Sequence, residues 1–326
     1  MTAPLLQIDG VTIDYDTKKG NLRALRDISF DVNKGEIVGI VGESGCGKST
    51  LISTILQLLP QNAEWKKGAI HFKGKNLIAC NEKEMRDMRG KDISVIFQDP
   101  MQSLNPVITF GRQMVDIQHR STSPYAEKWQ KAIEMLSMVG IADAETRLKQ
   151  HPFEFSGGML QRIAIAMALM SMPDLLIADE PTTALDATLE VEIIKRLKDL
   201  HKEMECSILF ISHHLGVIAE LCQRVVVMYA GSVVEFGTVD EIFFNPKHPY
   251  TRRLIECDPG HIKERAKRLP TIPGEIPDLT EALEGCIFQE RCSESIAKCK
   301  TATPPLVSLG QNHQAACWLN HDQEPE

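Results

Sequence analysis

The stretch Gly42–Thr50, GESGCGKST, constrains this chain more than any other. It fits the pattern G-x-x-x-x-G-K-[ST], with Gly42, Gly47, Lys48 and Ser49 at the fixed places. EIVGIV before it is short, apolar and β-branched, as a buried parallel strand requires. After it, Leu51, Ile55, Leu56 and Leu59 recur at helical spacing. A strand, a glycine-rich turn and a helix start therefore line up. Such a turn, here Gly42, Glu43, Ser44, Gly45, Cys46 and Gly47, points backbone N–H groups at a phosphate, where a helix N-terminus already favours negative charge. Lys48 is placed to reach the β- and γ-phosphates, the Ser49 hydroxyl to hold Mg²⁺, and Thr50 follows in the same turn. The alternative is a chance glycine-rich strand–helix turn, and the flanks weigh against it. The expectation is a site for a nucleoside triphosphate.

At 326 residues the chain is long for a single core, so one large domain with a smaller appendage is expected. The net charge of −8 argues against nucleic acid as a partner. No apolar run approaches the roughly 18 residues of a membrane span, and MTAPLLQID lacks the basic start and apolar stretch of a secretory signal. The expected place is the cytosol, with any membrane role reached through partners. Nine cysteines then point to metal or free thiols rather than disulfides. Cys46, Cys80, Cys206, Cys222 and Cys257 are scattered; Cys286, Cys292, Cys299 and Cys317 crowd the tail.

Leu5–Asp9 and Ala24–Val32 alternate like strands around a polar turn at Asp16–Asn21, with Tyr15 at the end of the first. A strand near Ala69–Phe72, a charged helix near Asn81–Arg89 and a strand at Ile93–Phe97 follow. Thr109 to about Gln150 reads mostly as helix, with Ala132, Met135, Leu136 and Val139 as a core stripe. Ser156-Gly157-Gly158 opens another helix. Beyond it, Leu175–Ala178, Ala187–Lys202, Ser207–Ser212, Gly216–Leu221 and Arg224–Tyr229 alternate strand and helix. That alternation implies an α/β fold with a parallel sheet and crossover helices. From about Cys257 prolines and cysteines replace the periodic pattern, which places a small appended domain at 257–326 after a main domain at 1–256.

LLIADE ends an apolar strand on Asp179 and Glu180. A carboxylate there, combined with a phosphate loop upstream, suits Asp179 to Mg²⁺ and Glu180 to an attacking water. Alone, either acid reads as a helix cap or solvated surface. The segment Phe155-Ser156-Gly157-Gly158-Met159 resembles the LSGGQ signature of ATP-binding-cassette (ABC) ATPases. Gln98 in FQDP resembles that family's glutamine loop, Ala184-Leu185-Asp186 its D-loop, and His213 in ISHH its switch histidine. The order of motifs holds across about Leu5–Ile255.

The resemblance implies an ABC-type P-loop ATPase: a RecA-like parallel-sheet core, an antiparallel β subdomain, a helical subdomain at about 100–172 and the cysteine-containing extension. It implies two ATP molecules sandwiched head-to-tail between two subunits. Lys48, Ser49 and Asp179 then serve phosphates and Mg²⁺, with Gln98 a further Mg²⁺ contact. Glu180 is the base, His213 meets the γ-phosphate and Tyr15 stacks on adenine. Ser156, Gly157, Gly158 and Met159 complete the partner's site, next to the D-loop Asp186. Met159 departs from the usual glutamine, and His214 from the aspartate that commonly follows the histidine. Neither change removes a phosphate contact.

His248-Pro249-Tyr250-Thr251 and Pro270–Pro277 (PTIPGEIP) resemble dipeptide/oligopeptide-permease ATPases, a group that includes nickel importers. HPYT also reads plainly as a helix start, with proline in the first turn. The tail cysteines run C-x5-C-x6-C-x17-C, wider than the tight pairs of structural zinc sites and better suited to a larger cluster. The resemblance implies a [4Fe–4S] cluster on Cys286, Cys292, Cys299 and Cys317; reduced thiols and zinc are the alternatives. It also implies a peripheral subunit on the cytoplasmic face of the membrane. Its partners are two transmembrane permease subunits, a homologous second ATPase as heterodimer mate, and an extracytoplasmic solute-binding protein. Peptides are the default cargo, with nickel or another small solute as the alternative. A soluble ABC ATPase acting on DNA or ribosomes fits less well, given one cassette, no sustained heptads and the acidic charge. A GTPase lacks its N-K-x-D motif here.

Overall fold

The computed structural model describes residues 3–183, 185, 187–258, 270–280 and 284–323. Their contacts form two compact units: one takes the described parts of Met1–Asn33, Ile37–Cys80 and Ser212–Glu326, the other Lys34–Glu36 and Asn81–Ile211.

In the first unit, Leu6–Thr17 is the middle of an antiparallel sheet, between Gly20–Val32 and Ala63–Phe72. The strands extend to the tip of the expected turn, where Thr17 pairs with Gly20. Leu6, Val11, Ile13, Leu25 and Ile28 are wholly buried, so one face of this sheet is core. The expected antiparallel β subdomain is thus present.

The strand before the phosphate loop, Ile37–Val41, is buried at every residue and lies parallel to Arg224–Tyr229, with Gly39 opposite Val225. Continuous burial explains its continuous apolar sequence. The chain then reverses at Ala230-Gly231, where both residues have positive φ (47° and 85°). Ser232–Thr238 returns antiparallel and carries Gln314–Ala315 on its far edge. This hairpin adds an antiparallel strand beyond Tyr229, where the alternation that implies a parallel sheet ends. The helix Leu215–Leu221 and the helix Pro249–Glu256 also belong to this unit.

In the second unit, Ile93–Ile96, Leu175–Asp179 and Ser207–Ile211 are parallel in the order written. Parallel pairing brings the strands' C-terminal ends to one edge, where ligands of α/β sheets sit. Ile96 stands opposite Ala178, so Gln98 and Asp179-Glu180 emerge side by side. The helical stretch resolves into Phe110–Ile117, Tyr125–Met138, Ala144–Arg147 and Gly157–Leu169. Ala132, Met135, Leu136 and Val139 are buried, as their spacing predicts. The charged helix Glu82–Met88 begins with a reciprocal cap: Asn81 accepts from the Glu84 N–H, and Glu84 accepts from the Asn81 N–H.

Candidate nucleotide site

The loop in the first unit is shaped by two glycines. Gly42 is placed so that a Cβ would lie 2.2 Å from the Met228 carbonyl oxygen, and at Gly47, with φ 103°, it would lie 2.8 Å from the Ala24 oxygen. Both obstacles are backbone, so no larger residue fits without moving a strand. Gly47 is the N-cap of the helix Lys48–Ile55, with no side chain capping its first turn. Lys48 is buried and donates its Nζ to Gly42 O at 2.7 Å and Glu43 O at 3.2 Å. Ser44, Gly45 and Ser49 are exposed. Tyr15 donates its hydroxyl to Thr50 Oγ1 at 3.4 Å, which brings the expected adenine platform to the loop. Cys46 is buried, and burial pushes its thiol pKa up, so it is an inert wall of the loop at neutral pH.

Glu43 has partners that the motif does not reveal. Its N–H donates to Tyr250 Oη at 3.0 Å. Its carboxylate receives both forks of Arg291, Nη1 at 2.8 Å and Nη2 at 3.1 Å. Arg291 also donates to Pro273 O, Ile272 O and Tyr229 Oη, and its pKa is driven further up, first by the Glu43 hydrogen bonds. Tyr250 sits on the helix that HPYT starts: Pro249 is in its first turn and His248 Nδ1 accepts from the Tyr250 N–H at 3.0 Å. The helix-start reading of HPYT is therefore borne out. Burial lowers the His248 pKa to about 4, which keeps the ring neutral and able to accept. Beneath it, the fully buried Glu235 accepts from the N–H groups of Lys247 and His248 and from His313 Nε2.

In the second unit, Gln98 Nε2 donates to Glu180 Oε2 at 3.1 Å, and Thr183 Oγ1 donates to the same oxygen at 3.0 Å. Glu180 has φ 47°, a left-handed conformation that costs a non-glycine residue about 1–2 kcal/mol. Strain of this kind concentrates at functional positions. Ser156 precedes the helix Gly157–Leu169; Ser156 and Gly157 are exposed, whereas Gly158 is buried. A Cβ on Gly158 would stand 2.7 Å from Leu189 Cδ1, so this glycine lets the signature helix pack closely. Met159 is half-buried. His213 and His214, in the first unit, are exposed with ring centroids 4.3 Å apart. The D-loop Asp186 lies outside the described residues.

Ser49 in the first unit, and Asp179 and Gln98 in the second, each carry a hard oxygen donor of the kind that Mg²⁺ takes. The amide nitrogen of Gln98 is directed at Glu180. The tail cysteines give a different result. Cys286 N–H donates to Cys299 O at 2.7 Å. Burial raises the Cys286 pKa to about 11, assisted by Cys299, Cys317 and Cys292. Cys292 and Cys317 are raised chiefly by burial as well. The four thiols are thus neighbours. Yet among the described residues no three His, Cys, Asp or Glu side chains form a group that could hold a metal ion. The iron–sulfur cluster expected on these four cysteines is therefore not shown by the side-chain placement. No helix among the described residues is long and apolar enough to cross a membrane.

Comparison with known proteins agrees with this geometry. Residues 25–183 match the ABC transporter family, and residues 234–299 match the oligopeptide/dipeptide transporter C-terminal region. A probable peptide ABC transporter ATP-binding protein of Sinorhizobium fredii is 48% identical over 98% of this chain and 96% of its own length. The oligopeptide transport ATP-binding protein OppD of Bacillus subtilis is 45% identical over 99% of this chain and 90% of its own length. Among solved structures, a dimeric ATP-binding cassette in a post-hydrolysis state with ADP and Pi superposes with a TM-score of 0.65 at 26% identity, covering 72% of this chain and 98% of that one. The structure of cbiO1 from Clostridium perfringens, part of the ABC transporter complex cbiONQ, gives 0.65 at 28% identity, covering 75% of this chain and 92% of that one. The chain belongs to the family of ABC transporter ATP-binding proteins, in the group that carries the oligopeptide/dipeptide transporter C-terminal region.

Proposed function

We propose that this chain is the ATP-hydrolysing subunit of a peptide importer, docked on the cytoplasmic face of the membrane. The observation that carries the reading is the union in one chain of a glycine-shaped phosphate loop and the peptide-transporter C-terminal region. The N–H groups of Gly42–Thr50 and the Lys48 ammonium take the phosphates, and Tyr15 takes the adenine face. Ser49, Asp179 and Gln98 would hold Mg²⁺, which would supply charge neutralisation at the phosphates. Glu180, oriented by Gln98 and Thr183, accepts a proton from the attacking water, and His213 contacts the γ-phosphate. Ser156, Gly157, Gly158 and Met159 face the triphosphate of a homologous second subunit, with Asp186 beside them, and we read the pair as a heterodimer.

We assign residues 1–256 to the ATPase domain and 257–326 to the C-terminal extension. Two transmembrane permease subunits complete the importer, and an extracytoplasmic solute-binding protein delivers cargo. Phe97, Met101 and Val107, all exposed apolar side chains flanking Gln98, support a docking surface for a permease segment. The test is purification of the tagged chain from membranes. Co-purification of polytopic proteins and ATPase activity stimulated by peptide-loaded binding protein are expected; recovery with ribosomes or DNA instead refutes the reading. A four-iron cluster on Cys286, Cys292, Cys299 and Cys317 is supported by the mutual proximity of the thiols. About four irons per chain in brown, anaerobically purified protein decides for it, and iron-free protein against it.

A further inference from the structure

Glu43 is fixed at three points, and two of them come from the C-terminal region. Its N–H is taken by Tyr250 Oη and its carboxylate by the Arg291 fork, while its carbonyl receives Lys48 Nζ at 3.2 Å and the Cys46 N–H at 3.2 Å. The Arg291 side chain is only 5% exposed and that of Glu43 27%, so the pair is poorly screened by water. Planar bidentate pairing fixes direction as well as distance. The guanidinium is itself held by Ile272 O and Pro273 O of the proline-rich stretch. At Gly274, with φ 81°, a Cβ would come within 3.1 Å of Arg291 Cγ, so the stretch wraps closely round it.

A carboxylate inside a phosphate loop opposes a triphosphate electrostatically. It also competes for the lysine that should neutralise the phosphates. We infer that Arg291 and Tyr250 are positioning residues for ATP: they draw the Glu43 side chain aside, cancel its charge and hold the carbonyl against which Lys48 is set. The C-terminal region is then a strut on the phosphate loop, and it sets the affinity of the loop for nucleotide. By linkage, bound ATP strengthens the strut in return. This inference rests on the loop binding ATP, as proposed above.

The test is Mg-ATP binding by the full-length chain, read with a fluorescent ATP analogue and followed by steady-state kinetics in the assembled transporter. Arg291→Met is expected to raise Kd and KM for ATP about tenfold, within the usual range of site-to-site coupling, with kcat changed less than about twofold. Adding Glu43→Gln to Arg291→Met removes the charge left behind and is expected to recover part of the affinity; Arg291→Lys recovers part as well. Wild-type Kd in a folded Arg291→Met chain overturns the inference, as does a double variant that binds no better than Arg291→Met alone. If Arg291→Met does not fold, Tyr250→Phe removes only the hydroxyl: a Kd raised at least about threefold supports the strut, and an unchanged Kd overturns it. A wild-type chain that binds no ATP in the same assay fails the proposed function instead, so the two failures are distinguishable.

Discussion

Glu235→Gln is the substitution whose cost follows most directly from the geometry. The carboxylate is 0% exposed and accepts from Lys247 N–H at 2.6 Å and His313 Nε2 at 2.7 Å on one oxygen, and from His248 N–H at 2.9 Å on the other. Glutamine keeps one accepting oxygen. Whichever way its amide turns, the NH₂ end opposes a backbone N–H. The milder orientation keeps Lys247 and His313 satisfied and leaves the His248 N–H without an acceptor. A hydrogen bond to a charged group is worth about 1.5–3 kcal/mol, and an unsatisfied buried donor costs about 1–3 kcal/mol. These describe overlapping losses, so the expected destabilisation is about 2–4 kcal/mol, a large share of the roughly 5–15 kcal/mol that holds a domain folded. Urea unfolding followed by circular dichroism at pH 7.5 measures it. A loss below about 1 kcal/mol refutes the argument that Glu235 anchors the start of the Pro249–Glu256 helix. Since that helix carries Tyr250, ATP affinity should fall with stability.

The buried His248 gives a pH dependence of definite sign. Its folded pKa, about 4, lies below the ordinary 6.5, so between these values the unfolded chain binds the extra proton. The stabilisation is therefore whole above about pH 6.5 and is lost as pH falls towards 4, by about 3 kcal/mol at about 1.4 kcal/mol per pH unit. His248→Asn, which keeps a capping acceptor without titrating, should flatten that part of the profile; an unchanged slope contradicts the assignment. Gly42→Ala should abolish ATP binding, because the added methyl meets the Met228 carbonyl at 2.2 Å and backbone cannot swing aside. Retained nucleotide affinity in that variant would show that the loop tolerates a shape the structure denies it.

Local patterns carried much of the fold. The strand at Arg224–Tyr229 has the limits its sequence suggests, and Asn81 caps its helix as a polar residue before Glu84 should. Gly42, Lys48, Gln98 and Glu180 were legible because fixed spacing reflects a fixed local geometry. What escaped depends on residues far apart in the chain. Ser232–Thr238 contains a glutamate and a glycine, which blur the strand pattern, and Glu235 looks like a solvent-facing position. Its burial is only intelligible once His313 is brought to it across the strand pair Phe236–Gln314. Arg291 lies between Glu290 and Cys292 in a cysteine-rich segment, with no periodicity to link it to Glu43. A signal does exist: a charged residue inside VVEFGT, and an arginine amid cysteines and aromatics, each need a partner if buried. Sequence alone does not say which partner. The tail cysteines show the converse, since their spacing suggests a metal centre while no metal-holding group is formed among the described residues.

The account stands on two subunits closing around ATP through loop and signature, and one sedimentation experiment addresses that directly. The Glu180→Gln chain, mixed with the homologous partner subunit proposed for it and Mg-ATP, is run in the analytical ultracentrifuge beside the same chain carrying Gly157→Trp. Gly157 is exposed and a Cβ there meets nothing within 4 Å, so the bulky residue leaves the chain's own packing intact. The account predicts an ATP-dependent dimer for Glu180→Gln, absent with ADP and lost when Gly157→Trp is added. A dimer that forms without ATP, or that survives the tryptophan, contradicts it.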